Sequence, residues 1–303
     1  MSDNTRQSED HVGSLKSISQ GSSNMKTATF FFIVIANVMV VTCQTFGGQG
    51  ERFKLPKGPA SQALQVLATA LKGPAGAEAA DELLVAAAKE ALQVLPEQSP
   101  VAEQLNRAIS LRQESGNPED VRQIIAEVSS SLSFQPQKEA DLPKGFPSFT
   151  PVGVVEIKEY PACRKAVAGQ FWTLFRHIQS NNISMTTPVE MKYDPDQSGA
   201  LSRQSMAFLY ANVGLGEVGK KGEVNVVDVQ PLTVVAIGVR GSRNQKTVDR
   251  AHQYLTQYID AQPDWVASGS PRVMGYNSPM VRRANRFFEV QVLVRKLHTE
   301  LSE

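Results

Sequence analysis

The sequence predicts an α+β fold in which a small all-α segment precedes a larger antiparallel domain. Residues 59–132 are rich in Ala, Leu, Gln and Glu, lack aromatic residues and space their apolar positions three and four apart, as helices do. From Val152 the apolar period becomes that of strands. There the order strand–strand–helix–strand–strand occurs twice, which predicts two halves paired into one antiparallel sheet or flattened barrel.

The composition excludes several classes of protein. The 303 residues, 41% hydrophobic and 20% charged, suit one large domain or two ordinary ones. A formal net charge of +1 gives no sign of nucleic-acid binding. The two cysteines, Cys43 and Cys163, exclude a disulfide scaffold, and neither lies in a CxxC or Cys/His pair with metal-ligand spacing.

The first 57 residues predict export. Residues 1–24 are polar and Ser-rich, which is typical of disorder or of a gene-model extension. Residues 25–43 have Lys26 followed by a short apolar run, Phe30 to Val41, interrupted only by Asn37. A spanning helix needs about 20 apolar residues, so this pattern favours a signal peptide. Residues 44–57 are expected to be a flexible tether.

Two outcomes at Cys43 stay open. The residues before it resemble a lipoprotein box, although Thr42 replaces the usual Gly, Ala or Ser. Lipidation of Cys43 would anchor the chain to a membrane through its N-terminus, whereas ordinary cleavage would release a soluble protein. Both place the protein in the periplasm or cell envelope. A buried core helix is a third option, disfavoured by the sharp polar-to-apolar boundary.

The helical segment, residues 58–133, shows no sign of chemistry. Ser99 and Asn117 each precede a proline, a pairing that favours helix starts. The segment is expected to be a spacer or a module for an unidentified protein partner, and residues 134–149 form a Pro-rich linker. The predicted helices are Ala60–Lys72, Ala77–Leu95, Pro100–Glu114 and Pro118–Leu132.

The remaining region, residues 150–297, is expected to fold without the helical segment, because both repeats lie inside it. Its predicted helices are Phe171–Ser180 and Thr247–Ala261. Its predicted strands begin near Val154 and include Cys163–Val167, Met185–Tyr193, Ser205–Ala211, Val224–Val229, Thr233–Val239, Arg272–Tyr276 and Phe287–Leu297.

Four motifs in this region resemble the SOUL haem-binding family. They are Val-Glu-Ile-Lys-Glu-Tyr-Pro at 155–161, Ile-Ser-Met-Thr-Thr-Pro-Val at 183–189, Val-Val-Ala-Ile-Gly-Val-Arg-Gly at 234–241, and Tyr-Asn-Ser-Pro at 276–279 followed by Arg282-Arg283 and Glu289-Val290. The resemblance implies a distorted antiparallel eight-stranded barrel of two repeated halves, each with one helix. It also implies non-covalent binding of haem or another tetrapyrrole.

The resemblance further implies where a ligand would lie: beside the first helix of the domain and in the loop before the last strand. This nominates Phe171, Phe175 and Arg176 on the helix, and Met280 and Arg282 in the loop. For the two phenylalanines a core role is the stronger alternative, since aromatic residues at helical spacing more often belong to the core. The two arginines are equally explained as solvated surface charges.

The histidines can be compared by helix geometry. His177 lies about 100° from the apolar centre of its helix, which suits an axial haem ligand at a groove rim and also suits a surface histidine. His252 lies near the apolar stripe of its helix and is expected to face the core. His298 lies in the tail.

Three functions are compatible with the sequence. The first is an exported, non-enzymatic binder of haem or another tetrapyrrole. The second is a cell-envelope interaction or structural module that binds no tetrapyrrole. The third and least favoured is an enzyme acting on tetrapyrroles, because the sequence lacks a phosphate-binding loop, a nucleophile elbow and a metal cluster.

Overall fold

The computed structural model describes residues 50–73, 78–114, 116–197 and 199–297. The expectations for residues 1–24, for the signal segment with Cys43 and for His298 lie outside these ranges. Among the described residues, no helix is both long and apolar enough to cross a bilayer.

The described part of the N-terminal segment contains four helices: α1 (Pro59–Ala70), α2 (Glu78–Val94), α3 (Pro100–Gln113) and α4 (Pro118–Leu132). Their ends lie within two residues of the predicted ones. The side chain of Ser99 accepts a hydrogen bond from the amide of Ala102, and that of Asn117 accepts one from Glu119. The helices share a core of Ala, Leu, Val and Ile.

The following domain, where the structure describes it, contains ten strands and two helices, α5 (Phe171–Ser180) and α6 (Gln245–Asp260), with a short 3-10 helix at Arg283–Asn285. The strands are β1 (Val155–Tyr160), β2 (Cys163–Ala168), β3 (Val189–Pro195), β4 (Leu201–Leu209), β5 (Gly219–Lys221), β6 (Val224–Val229), β7 (Leu232–Arg240), β8 (Trp265–Ala267), β9 (Arg272–Gly275) and β10 (Phe287–Lys296).

The sheet contains the internal duplication that the sequence predicts. All pairings between the named strands are antiparallel, in the order β1-β7-β10-β9-β3-β4-β2-β6-β5, with β8 paired to β10. The strands correspond in pairs: β1 with β6, β2 with β7, β3 with β9 and β4 with β10. When the members of each pair are exchanged, the strand order from β1 to β6 is the same order read backwards. The two halves are therefore related by a pseudo-twofold axis between β3 and β9, and each half contributes one helix.

The eight-stranded barrel is not confirmed. The described strands form one open sheet, whose path ends at β1 and β5. Two three-residue strands, β5 and β8, raise the number from the expected eight to ten. The sheet contacts that the structure describes include no pairing of β1 with β5 or β6, so the sheet has edges where a barrel would be closed.

The two faces of the sheet differ in what covers them. Along β10, Phe288, Val290 and Val292 lie in the core that contains the buried residues of α5 and α6. The alternate residue Phe287 lies in a second, aromatic core, and Glu289 bonds to buried polar groups. We call the first side the helix face and the second the strap face.

The strap face is covered by segments that the sequence assigns to a tether and a linker. We call residues 50–57 and 134–149 together the strap. Phe53, Phe134 and Phe149 of the strap are buried against the sheet residues Tyr276 and Phe287. These apolar rings, scattered among prolines and polar residues, explain why the strap packs on the sheet.

The helical segment contacts the sheet domain just before β1. The amide of Val101 donates to the carbonyl of Gly153 at 3.2 Å, and Val154 lies in the core of the helical segment. Tyr254 of α6 donates a hydrogen bond to Glu103 of α3.

Candidate functional site at α5

Three aromatic residues occupy the first turns of α5, which packs on β2, β4 and β6. Phe171 and Phe175 are half-buried, with ring centroids 6.0 Å apart and planes 13° apart. Phe171 also makes an edge contact with Phe208 of β4 at 5.1 Å. The two rings therefore contribute to the core, while part of each is accessible to a ligand.

Trp172 completes this group, although the apolar period of the helix does not nominate it. Its side chain is 48% exposed, yet its ring makes edge contacts with Phe171 at 5.4 Å and Phe175 at 5.8 Å. A large ring held by two others at the protein surface can contact a flat apolar ligand. We call Phe171, Trp172 and Phe175 the aromatic surface. Its sequence signal is the Phe-Trp pair that opens the helix.

Arg176 and His177 follow the aromatic surface along α5. Arg176 is exposed, and His177 is half-buried. The Nε2 atom of His177 lies 2.8 Å from the hydroxyl of Tyr210, which follows β4 and is buried. Asn181 donates to the carbonyl oxygen of His177 at 2.7 Å, and its amide nitrogen lies 3.5 Å from Nδ1 of the ring. Burial lowers the pKa of His177 below its ordinary value of 6.5, and the charge of Lys221 lowers it further.

Met280 and Arg282 lie apart from α5. Both are exposed in the loop between β9 and β10, and the Met280 side chain is 74% exposed. Glu139 of the strap holds this loop through the amide and the hydroxyl of Ser278. Among the described residues, no hydrogen bond, ion pair or ring contact joins the loop to α5. The structure thus brings the helix candidates together and does not bring the loop candidates into contact with them.

His252 lies at the flank of the buried stripe of α6. It is half-buried, and burial lowers its pKa, although Asp249 opposes this shift. The expectation that it faces the core is therefore met only in part. No group of three or more His, Cys, Asp and Glu side chains in the described ranges is suited to hold a metal ion.

The Thr-Thr-Pro motif has a structural role. Thr186 and Thr187 are buried, and their hydroxyls donate to the carbonyls of Leu209 and Tyr276 at 2.6 and 3.1 Å. The amide of Thr187 donates to Asp141 in the strap at 3.0 Å. The motif therefore joins strand ends from both halves to the strap, and its hydroxyls are engaged.

A buried ionic network crosses the strap face. Lys158 pairs with Glu289 at 3.0 Å, and Arg272 joins Gln291 at 2.9 Å and Glu190 at 3.0 Å. The amide of Gln291 donates to Glu289, and Lys165 donates to Glu190, so the charges form one connected row. Two buried atoms, Nη2 of Arg272 and Oγ1 of Thr150, have no hydrogen-bond partner among the described residues. The Arg272 guanidinium lies 5.1 Å from the ring centroid of Tyr160, a cation–π contact.

This network offers little for catalysis. Its two buried carboxylates, Glu190 and Glu289, are both paired with cations. Burial raises the pKa of the nearby Cys163 thiol, with Lys165 opposing and Glu190 reinforcing the shift, so this cysteine is protonated at neutral pH and is a poor nucleophile. The network is better explained as a fixed element of the sheet.

Comparison with known proteins gives one family. Residues 149–293 match the family described as SOUL heme-binding protein. The match begins just before β1 and ends within β10, so it includes both halves of the sheet and α5. No curated protein matches the chain.

Several solved structures are similar to part of the chain. The C-terminal domain of EcmrR is 17% identical with a TM-score of 0.37, covering 47% of this chain and 98% of that domain. A hydrolase from Listeria innocua is 10% identical with a TM-score of 0.37, covering 48% and 94%. A putative transcription regulation protein from Staphylococcus aureus MU50 is 12% identical with a TM-score of 0.28, covering 46% and 97%. At these scores the likeness does not bear on function.

Proposed function

We propose, from the match of residues 149–293 to the SOUL family, that the protein binds haem or another tetrapyrrole non-covalently at α5, without catalysing a reaction. The observation that supports this site is the aromatic surface, in which the half-exposed Trp172 ring is held by Phe171 and Phe175.

These residues fit a flat apolar ligand. Haem brings a planar macrocycle and two propionates, so it needs apolar contact area and a cation. Trp172 and Phe175 would supply the contact, and Arg176 would pair with a carboxylate. Contact with one large aromatic side chain contributes on the order of 2–3 kcal/mol, whereas an exposed arginine contributes about 1 kcal/mol or less. The affinity is therefore expected to depend on the rings more than on the charge.

The proposed function is tested by titrating haemin into Trp172→Ala, Phe175→Ala and Arg176→Ala variants. We expect Trp172→Ala and Phe175→Ala to weaken binding by roughly tenfold or more, and Arg176→Ala by less than about fivefold. Leu83→Ala, which removes another exposed apolar side chain, on α2, is the matched control.

Thermal unfolding of the same variants separates binding from stability. Trp172 is half-exposed, so its removal should leave the unfolding temperature nearly unchanged. Unchanged haemin affinity in a stable Trp172→Ala variant would move the site away from α5. Met280→Ala and Arg282→Ala test whether the β9–β10 loop also contributes; loss of affinity in these two variants alone would place the site there.

We also propose that the protein is exported to the periplasm or cell envelope, either lipidated at Cys43 or cleaved near it. This proposal depends on the sequence of residues 25–43 alone. It is compatible with haem carriage outside the cytoplasm.

A groove on the helical segment favours a second candidate function, an interaction module that binds no tetrapyrrole. The groove lies between α2 and α3, has a volume of about 430 Å³ and is lined by Val85, Ala86, Ile109, Lys89, Arg112, Glu82 and Gln113. Haemin titration distinguishes this candidate, because a chain with no haemin affinity and an intact fold would favour it.

A further inference from the structure

A row of apolar residues crosses the helix face of the sheet. Each member lies opposite the next in the strand register, so the row runs from one half of the domain into the other. Phe171 of the aromatic surface makes its edge contact with Phe208, a member of this row. The row therefore extends from the aromatic surface to the middle of the sheet. We call it the central row, and its members are Val239, Phe288, Gly275, Val189, Phe208 and Ala166.

The middle of the central row lies between the two helices. The helix α5 packs mainly on β2, β4 and β6, whereas α6 packs mainly on β1, β7, β8 and β10. The strands β3 and β9, which contribute Val189 and Gly275, lie between these two groups in the sheet. Both residues are only half-buried, so a ligand has access to the row at this point.

The side chain of Arg243, from the loop before α6, reaches the middle of the row. A Cβ added to Gly275 would lie 3.3 Å from Nη1 of Arg243 and 3.1 Å from Cε of Met191. The φ of Gly275 is not positive, so the backbone does not require glycine there. The missing side chain instead leaves the space that the guanidinium of Arg243 occupies.

A second guanidinium approaches the same place from β4. Nη1 of Arg203 donates to Sδ of Met206 at 3.3 Å, and Met206 lies opposite Met191 in the strand register. Where the structure describes the chain, neither Arg203 nor Arg243 forms an ion pair with a carboxylate. Two cations that converge without a carboxylate favour the binding of an anion.

Arg243 is accessible to solvent and is also surrounded by protein. Burial lowers the pKa of its guanidinium, Tyr193 opposes this shift, and the charge of Arg203 reinforces it. The group remains charged at neutral pH, as arginine does in proteins. A charged donor in such surroundings binds a carboxylate more strongly than a fully solvated one.

We propose that Arg243, together with Arg203, binds a carboxylate of the ligand whose rings lie on the aromatic surface and the central row. This inference rests on the proposed haem binding at α5 and adds the residue that holds one propionate. The contribution of Arg243 should exceed that of the exposed Arg176, because an ion pair in water is screened.

The spacing of the strands suits this arrangement. Phe208 and Gly275 are separated by two strand spacings, roughly 10 Å, with Val189 between them. A planar ligand in contact with Phe171 would lie across Val189 and bring a propionate to Arg243.

The test titrates haemin, and haemin dimethyl ester in which both propionates are esterified, into the unaltered chain, Arg243→Met and Arg243→Lys. We expect Arg243→Met to weaken the binding of haemin by about tenfold or more, the effect of losing a charge-assisted hydrogen bond, and to leave the affinity for the ester unchanged. Arg243→Lys keeps the charge without the planar fork, so it should retain part of the affinity for haemin. Arg107→Met, which alters an exposed arginine of α3, is the matched control and should bind both ligands as the unaltered chain does.

Thermal unfolding of the same variants separates carboxylate binding from a structural role. No carboxylate among the described residues pairs with Arg243, so its removal leaves no buried charge without a partner. The unfolding temperature of Arg243→Met should therefore equal or exceed that of the unaltered chain.

Two results would overturn the inference. One is an unchanged haemin affinity in Arg243→Met together with a weakened one in Trp172→Ala, because the ligand would then bind at α5 without Arg243. The other is an equal loss of affinity for haemin and for its ester, because loss of a carboxylate contact affects haemin alone.

A second probe decides the inference if haemin binds to none of these proteins, in which case the proposed function fails. Anilinonaphthalene sulfonate is a fluorescent anion with aromatic rings. Arg243→Met should bind it roughly fivefold or more weakly than Arg107→Met does, as expected for the loss of a charge-assisted hydrogen bond. Equal affinities of the two variants would contradict an anion site at Arg243.

Discussion

Glu190 and Glu156 lie on the same face of the sheet, and their pKa values are shifted in opposite directions. Burial alone would raise the pKa of Glu190, but Arg272 and Lys165 outweigh it and hold the pKa below its ordinary value of 4.5. Burial raises the pKa of Glu156, reinforced by Glu289 and only partly opposed by Lys158. The ionised form of Glu190 is therefore stabilised by its cations, whereas ionisation of Glu156 costs free energy in the folded protein.

These directions predict opposite pH effects for two matched substitutions. A carboxyl group with a lowered folded pKa stabilises the protein above its unfolded value, and this stability is lost as the pH falls through the folded pKa. Glu190→Gln should therefore destabilise the protein at neutral pH, by about 3 kcal/mol, because the buried Arg272 and the half-buried Lys165 lose their carboxylate partner. As the pH falls below 4.5, the variant should lose less stability than the unaltered chain.

Glu156→Gln should do the reverse. A raised folded pKa means that the ionised group reduces stability at neutral pH, and this cost disappears as the pH falls below 4.5. The variant should be more stable than the unaltered chain at pH 7 and equal to it in acid. Urea unfolding between pH 3 and pH 7 measures both effects. If the two variants had parallel pH profiles, the assignment of their pKa directions would be wrong.

At the candidate site, the sequence could nominate residues and could not pair them. Phe171, Phe175, Arg176 and His177 are neighbours along one helix, so helical geometry alone groups them. Tyr210 lies 33 residues from His177 and meets it only through the packing of α5 on the end of β4. The sequence did not nominate Trp172, because its ring is half-exposed and lies outside the apolar stripe of α5.

Among the elements, the helices were predicted closely and the strap was not. The prolines after Ser99 and Asn117 favour a helix start through interactions between neighbouring residues, so a short stretch of sequence is enough to predict it. The three-residue strands β5 and β8 are too short to show a period. In the strap, Pro136, Pro143 and Pro147 are typical of a linker, and the signal against that prediction was the spacing of Phe134, Phe146 and Phe149 among them.

Removing the strap should destabilise the sheet domain. A fragment of residues 134–297 retains the second strap segment, whereas a fragment of residues 150–297 loses Phe134 and Phe149 and uncovers Tyr276 and Phe287. Each lost aromatic contact is worth on the order of 2–3 kcal/mol, so the shorter fragment should unfold roughly 10 °C or more below the longer one. Calorimetry of the two fragments measures this difference.

The same fragments test whether the sheet domain folds without the helical segment. A cooperative transition in residues 134–297 would support independent folding. Equal unfolding temperatures for the two fragments would show that the strap contributes no stability, and insolubility of both would contradict independent folding.

For the whole molecule, export remains a prediction from residues 25–43. Cell fractionation should find a processed chain outside the cytoplasm, because a short apolar run after Lys26 directs secretion and removal. Labelling with a radioactive fatty acid that disappears in Cys43→Ala would establish lipidation. An unlabelled, shortened chain would establish simple cleavage, and a full-length cytoplasmic chain would contradict export.

The contact between the helical segment and the sheet domain includes a close approach of Gly153 to Val101 of α3. Gly153 has a φ of +75°, and an added Cβ would lie 2.9 Å from Cγ1 of Val101 on α3. Gly222 has a similar φ of +63° with nothing within 4 Å of an added Cβ, so it serves as the matched control. Gly222→Ala should cost only the left-handed backbone conformation, about 1–2 kcal/mol.

Gly153→Ala should cost more than Gly222→Ala, because Val101 must also move away from the junction. Replacing Val101 with Ala removes the clashing carbon, so the double variant Gly153→Ala/Val101→Ala should be destabilised by less than the sum of its single variants, as expected for residues in contact.

Urea unfolding followed by far-ultraviolet circular dichroism and by Trp fluorescence reports on the helical segment and the sheet domain separately. In Gly153→Ala the two transitions should separate, with the helical segment unfolding first, since its aliphatic core is the smaller one. Coincident transitions and a loss equal to that of Gly222→Ala would show that the two parts are not coupled through Gly153.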